Sequence, residues 1–585
     1  MILQSLASYH ERKGDTLAPP GWIRKPVDFV IVINRAGEFV TVNDLREVKN
    51  KKQVGLPKLL PNIGKQAQKH ANSGKDANLL WDDAPFVLAR KTKGPITTQS
   101  FCDTVEEYFP DGGECAEDEG IAAIKAFCRT QLADEAVRER IAGLLPQKNG
   151  VLLPVIVAFR LDDESECFIS DRPAVKQRLA AHVGSRNPDG VCSVTGERAP
   201  ISRLHTVIKN VWGGQSSGVS LVSYNAPAFN SYNKEGGANA PVGEAAMFAY
   251  TTALNHLLGG DSAQRMQVGD ASTVFWSEKS SEFEGRFAQF FTGDKDDPDA
   301  LTDLVRGLYD SIHRGRQAES DDVNRFYVLG LSPNAARVAV RFWIVGSVAE
   351  MERNIGRYFE DIKIAHGPNA PDELPLSRLL AQTAVLGKRE NIPPNLAGDV
   401  MRAILGGTPY PLTAMAALLR RVRAERVVPH ARAAFLKACI NRSPLQEDDR
   451  ERKMAMGLDR DNVNIGYRLG RLFAALEKTQ LDALPGIKAT IRDRFYGSAS
   501  STPAAVFPTL IRTSKHHLGK LDDRQRKYRE RLIGEIVDGL PPEFPDVLKL
   551  SDQGRFAIGY YHQMQDFFTK KTPTADEKAE ATGRE

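Results

Sequence analysis

Gly214-Gln215-Ser216-Ser217-Gly218 matches G-x-S-x-G, the pattern that sets a nucleophilic serine between two glycines. That elbow supports acyl transfer only where a strand leads into the serine and a helix leaves it. Here Val219 to Tyr224 alternates apolar and polar residues as a strand does. The required helix is missing, so a serine-hydrolase-like or nuclease enzyme is the lesser reading. The other reactive residues fall short in similar ways. No G-x-x-x-x-G-K-[ST] phosphate loop and no H-E-x-x-H pair occurs. His516 and His517 are adjacent, so on a helix they diverge and do not share a metal. Cys192 offers one thiol where a zinc knuckle needs two, and reads as a buried structural cysteine. Asp82-Asp83 and Asp321-Asp322 have no histidine nearby, whereas metal-dependent nucleases need convergent carboxylates. No catalytic residue, metal or cofactor is expected.

The residue types point instead to binding. The run from Gly213 to Gly243 carries Gln215, Ser216, Ser217, Asn225, Asn230, Tyr232, Lys234 and Asn239 among glycines. Amides and hydroxyls bond base edges and phosphates without a large charge, and glycines allow close backbone approach. A loop this long inside a compact domain is uncommon unless it is functional or disordered, and Tyr224, Phe229, Tyr232 and Pro241 argue against disorder. A second signal lies between Lys488 and Arg531, with eleven Lys/Arg against four Asp/Glu and with Tyr496, Phe507 and Tyr528 interspersed. Cations with interleaved aromatics suit single-stranded nucleic acid, where phosphates meet charge and bases stack on rings. The candidates there are Arg512, Lys515, Lys520, Arg524, Arg526, Lys527 and Arg531. Lys51, Lys52 and Lys58, in a Pro/Gly-broken basic segment read as a loop, are further candidates for backbone contact.

The elements that must hold these residues divide the chain. Its 585 residues exceed what one core supports, so two or three domains are expected. Up to about residue 370 the pattern mixes strands (Val27 to Ile33, Val151 to Phe159, Thr273 to Trp276, Phe326 to Leu331) with helices (Asp118 to Leu145, Glu244 to Leu258, Ser347 to Ile362). Ser332-Pro333-Asn334 reads as the turn into a partner strand, Arg337 to Trp343. Beyond that, helical runs dominate, with a charged break from Gln446 to Lys453. The fold class is α+β: an α+β domain over 1–370, a helical connecting region over 371–453, a helical bundle over 454–570 and a disordered tail over 571–585. The net charge of +4 is mild, six scattered cysteines without C-x-x-C spacing read as reduced thiols of a cytoplasmic protein, and no membrane role is indicated.

Many short matches in one order carry a resemblance. They include Thr195-Gly196-Glu197, Arg203-Leu204-His205, Gly214-Gln215-Ser216-Ser217-Gly218, Val222-Ser223-Tyr224-Asn225, Ser231-Tyr232 and Asn239-Ala240-Pro241-Val242. Tyr327 to Arg337 and Gly470-Arg471-Leu472-Phe473-Ala474 follow. From Met1 to about Phe568 the chain resembles the large subunit of the type I-C CRISPR Cascade complex. The resemblance implies a non-catalytic role in target recognition. A guide RNA would read sequence by pairing, and the protein would read a protospacer-adjacent motif in double-stranded DNA. It implies partners too: a guide-RNA complex with backbone and small subunits, the displaced DNA strand, and a helicase-nuclease acting in trans. It also implies that 454–570 is similar to the small subunit, with Met454 or Met456 starting a second product. A stand-alone single-strand nucleic-acid-binding protein is the remaining alternative.

Overall fold

The structure, a computed structural model, describes residues 1–49, 52–63, 76–90, 95–113, 115, 117–183, 186–292, 302–308, 323–393, 395–443 and 453–568. Lys51, the side chain of Lys52, the break at 446–452 and the tail at 571–585 lie outside the described residues. The fold is α+β, in two compact units: 1–262 with 333–339, and 263–332 with 340–585.

Unit 1 is built on a four-stranded sheet ordered β3 (Phe39–Asp44), β2 (Phe29–Ile33), β10 (Ile156–Leu161), β7 (Trp81–Asp83). The Phe29-Val30-Ile31-Val32-Ile33 stretch is buried throughout, as a strand covered on both faces must be. Alternate residues serve two cores. Phe29, Ile31, Ile33 and Phe159 join Phe101 of helix α2 (Pro95–Tyr108) and Ile121 and Ile124 of α3 (Glu119–Ala126). Val30, Val32 and Ala158 join Trp81, Leu60 and Phe168 on the other side. There a twisted ribbon of β1 (Trp22–Val27) and β6 (Leu56–Pro61) lies over the sheet. Lys58 therefore sits on a strand, which corrects the loop expected there; two prolines in β6 hid it, since proline is confined to edge or ribbon strands. Asp118 caps α3 by accepting from the N–H groups of Gly120 and Ile121, and the chain runs on into a π-helical turn at Phe127–Gln131. Short ribbons β4 (Glu47–Lys49) with β5 (Lys52–Val54), β8 (Gln147–Lys148) with β9 (Val151–Leu152), and β11 (Gly190–Val191) with β12 (Arg198–Ala199) complete the strands. Helix α1 (Ile2–Lys13) packs on a later helix, Glu244–Leu257, which buries Tyr250, Ala253, Leu254 and Leu257.

Unit 2 begins with an antiparallel sheet in sequence order: β13 (Arg265–Val268), β14 (Ala271–Ser277), β15 (Arg325–Asn334) and β16 (Arg337–Ser347). The β15–β16 turn falls at Ala335, with φ 53°, so Ser332, Pro333 and Asn334 continue the strand and do not form the turn expected of them. The aromatic helix Glu282–Thr292 covers the sheet, with Phe287 ring to ring on Phe275 at 4.6 Å. Val348–Ile362, capped by Ser347, follows. These residues share one continuous core with the helices beyond 370. Packing therefore groups 263–332 with the helical part, although the strand signals fade only near 370. Among those helices, Ile465–Ala483 and Leu550–Phe568 lie backbone to backbone: a Cβ on Gly466, Gly470 or Gly559 would strike a carbonyl oxygen of the opposite helix.

Candidate nucleic-acid interface

The polar run of unit 1 is irregular but tied down at both ends. Ile208 and Val219 exchange backbone hydrogen bonds at 2.8 Å in each direction. Between them, the Gly214 N–H closes a turn on Val211 O (3.0 Å) and the Gly218 N–H another on Gln215 O (3.0 Å). Gly213 and Gly218 have φ of 73° and 104°, which other residues rarely adopt. Gln215, Ser216 and Ser217 are exposed on this double turn. No helix follows Ser216; Val219 and Ser220 form isolated bridges, so the geometry of a hydrolase elbow is missing. At the far end, the Ser202 N–H donates to Val242 O (2.9 Å) and the Ser193 N–H to Pro241 O (2.7 Å). Burial raises the Cys192 thiol, but N–H groups of Gly243, Thr195 and Val194, with the Thr195 hydroxyl, outweigh it and hold the thiol below its usual range. Cys192 is buried, as the sequence reading has it, and it lies at this end of the run.

Between the anchors, 227–235 is exposed. Asn239 organises it. Its Oδ1 accepts the Ser231 N–H at 2.9 Å, and its Nδ2 donates to Lys234 O at 3.0 Å and Gly236 O at 3.1 Å. A weaker contact, at 3.4 Å, reaches Asn230 Oδ1. The side chain expected to touch DNA is thus engaged in closing the loop. Gly237 is buried against this chain's own backbone, where a Cβ would strike Ser202 O. The closed loop turns Tyr232 outward at 94% exposure, with φ 53°, and Lys234 beside it is exposed too.

Sequence reasoning missed Arg337 as a site residue. It lies in the 333–339 segment, which belongs to unit 1. Its backbone pairs in parallel with Ser220, its guanidinium donates to Asn225 Oδ1, and it sits 4.2 Å over the Phe229 ring. Asn225 and Phe229 are thereby fixed, with the Asn225 amide N–H groups left to point elsewhere. The only sequence signal was its place at the end of the Tyr327 to Arg337 stretch. Nothing in spacing links it to a loop more than a hundred residues earlier.

The second candidate surface lies in unit 2, on α4 (Pro503–Leu518) and α5 (Asp523–Asp538). Arg512, Lys515 and Lys520 are exposed, as are Arg524, Lys527 and Arg531. Arg512 and Lys515, three apart, share one face of α4, and Arg524, Lys527 and Arg531, three and four apart, share one face of α5, whereas Lys520 lies in the turn between the helices. Two of the cations have carboxylate neighbours: Arg526 reaches Asp523 at 2.7 Å, and Arg531 lies 3.6 Å from Glu535. Tyr496 and Phe507 are core residues and cannot stack on bases. Of the adjacent histidines, His517 is buried and His516 exposed, so they diverge as expected. Among the described residues, no group of three or more His, Cys, Asp and Glu could hold a metal ion, and no helix is long and apolar enough to cross a membrane.

The chain is α+β, in two units, with an exposed, internally stapled polar loop. The matching family model is that of a CRISPR-associated protein (Cas_Csd1), and it spans residues 3–568. The chain belongs to this family of CRISPR-associated proteins. No curated protein matches it.

Proposed function

We propose that the chain is the non-catalytic large subunit of a type I-C Cascade complex, and that the 213–239 loop inspects duplex DNA at the protospacer-adjacent motif. The observation that carries this reading is Tyr232, almost wholly exposed and locked in a left-handed backbone conformation by the Asn239 staple. A ring presented this way suits stacking on an opened base step. Gln215, Ser216, Ser217, Asn225 and Asn230 supply amide and hydroxyl groups for base edges, and Lys234 supplies charge for a phosphate. The basic faces of α4 and α5 suit the displaced strand. Guide RNA, backbone and small subunits and a trans-acting helicase-nuclease complete the partner set. The segment after Met454 is offered as a second, small-subunit-like product.

The test uses the reconstituted guide-RNA complex and duplexes that differ only in the adjacent motif. Tyr232→Ala should weaken binding of matched duplexes roughly 10- to 100-fold, the scale of the ~1–3 kcal/mol lost with one base–ring stack. Its melting temperature should not change. Asn239→Ala should produce the same loss through a loosened loop. A Gln215→Ala/Tyr232→Ala double variant with unaltered affinity and motif choice sinks the reading. Stoichiometric labelling of Ser216 by a fluorophosphonate would instead revive the hydrolase.

A further inference from the structure

Two cysteines meet where α2 packs against the end of α3. Cys102 lies in α2 and Cys128 in the π-helical turn that follows α3, 26 positions later. The Cys102 S–H donates to Cys128 O at 3.7 Å, so one sulfur reaches the backbone of the other cysteine. The Cys128 thiol is in turn hydrogen-bonded to Cys102, and that bond, ahead of burial, pushes it up. The π-turn sets this meeting up: the Leu132 N–H donates to Phe127 O at 2.9 Å, one residue beyond the α-helical reach. Turns of this kind recur at functional sites. Ion pairs hold the two segments in this register. Glu106 of α2 meets Arg129 of the turn at 2.7 Å and Lys125 of α3 at 3.2 Å. Cys115 is turned elsewhere, its S–H donating to Ala174 O at 3.3 Å.

The pair is also reachable. Both cysteines line one cavity of about 410 Å³. Gln99, Asp103 and Arg129 are exposed around it, Cys102 is half-buried and Cys128 is buried. A reagent entering there meets Cys102 first. A buried cysteine is by default a small apolar filler. Two thiols bonded to each other on a cavity wall, beside charged side chains, are instead placed for thiol–disulfide exchange.

We propose that Cys102 and Cys128 are a modification site for low-molecular-weight disulfides, which link them to each other and so pin α2 to the π-turn. The Cys102 sulfur, as thiolate, attacks one sulfur of the small disulfide; a mixed disulfide forms on Cys102 and one small thiolate leaves. Cys128 then gives up its proton, and its sulfur attacks that of Cys102, releasing the second small thiolate. Two protein thiols become one disulfide, the small disulfide is reduced to two thiols, and both protons end on them. The assignment is independent of DNA binding.

Oxidised glutathione applied to the native full-length chain tests it. Of the six cysteines, two should be lost to maleimide labelling, with the mass falling by two hydrogens and no glutathione retained. Proteolysis should yield a peptide cross-linked through Cys102 and Cys128. The melting temperature should rise on oxidation, and dithiothreitol should return it to its starting value. Cys128→Ser should stop with one glutathione on Cys102. Cys102→Ser should keep the Cys128 thiol free through the same exposure. Cys115→Ser, which removes the only other cysteine between the two, should behave like the wild type. The site is overturned by a wild-type chain in which Cys102 stays reduced, or in which Cys102 retains glutathione without the internal link. A link from Cys102 to Cys115 overturns it too, as does a Cys102→Ser chain that loses the Cys128 thiol as fast as the wild type.

Discussion

Asn239 shapes the loop through contacts within its own chain. Its amide closes the loop through backbone groups of Ser231, Lys234 and Gly236, and the product of that closure is the outward pose of Tyr232. Arg337 plays the same part for Asn225 and Phe229. Single residues also set the pH behaviour. His562 is buried in unit 2, with its Nδ1 3.0 Å from the Tyr467 hydroxyl. Burial above all, and then Lys437, push its pKa from 6.5 down to about 4. The folded state thus keeps the ring neutral at pH values where the unfolded chain protonates it. Stability from this group is complete above about pH 6.5 and is lost as pH falls toward 4. His430, also lowered to about 4 and mainly by burial, acts in the same direction. The melting temperature should therefore fall between pH 7 and pH 5, with His562 contributing about 2 kcal/mol of the change. His562→Gln should flatten that dependence; an unchanged pH profile in this variant would exclude the histidine as its source.

Elements carry two further expectations. Along α4, α5 and the turn between them, Lys515, Lys520, Arg524 and Lys527 have no carboxylate ion partner among the described residues, whereas Arg526 and Arg531 have one nearby. Replacing the first four with Gln should flatten the salt dependence of single-strand binding by about 3, at ~0.7 per contact. The Arg526→Gln/Arg531→Gln pair should change it less, and equal effects would remove the assignment of that face. The pair of long helices makes a different demand. Gly470 leaves no room for a methyl group against Phe556 O, while Gly497 has open space around it. Gly470→Ala should cost about 1–3 kcal/mol in thermal or denaturant unfolding, and Gly497→Ala should be neutral or stabilising by about 0.5–1 kcal/mol. These long amphipathic helices were legible in the sequence because their apolar residues recur every three or four positions. Leu396–Leu405 and Pro503–Leu518 are among them. The helices Pro95–Tyr108 and Pro173–Val183 were not legible, and Glu282–Thr292 was missed although Phe283, Phe287, Phe290 and Phe291 carry the same spacing. Ile96-Thr97-Thr98-Gln99-Ser100 and Lys176-Gln177-Arg178 show too few apolar residues, and Thr97 and Thr98 are buried all the same. The ribbon strands hid behind their prolines. In the candidate site the exposed glycine-rich loop could be read from composition, but the staple and the arginine could not, since each depends on which groups the fold brings within hydrogen-bond reach.

At the scale of the molecule, the segment beyond Met454 holds a polar core of its own. Glu477, buried in Ile465–Ala483, accepts from the Thr490 hydroxyl at 2.8 Å and the Tyr560 hydroxyl at 2.7 Å. Every one of those groups would be retained by a product starting at Met454 or Met456. Changing both codons to leucine should abolish the short product and leave the full chain intact; persistence of the short band would end that proposal. Packing also gives unit 1 two separate pieces of chain, 1–262 and 333–339. A ribosome delivers these in sequence, and at roughly 5–20 residues per second the second piece emerges several seconds after the first. Until Arg337 arrives, Asn225 and Phe229 have no clasp. The nascent protein thus passes through an interval in which its sheet can form while its exposed polar loop is still unset, and a truncation before residue 333 would remain in that unfinished state.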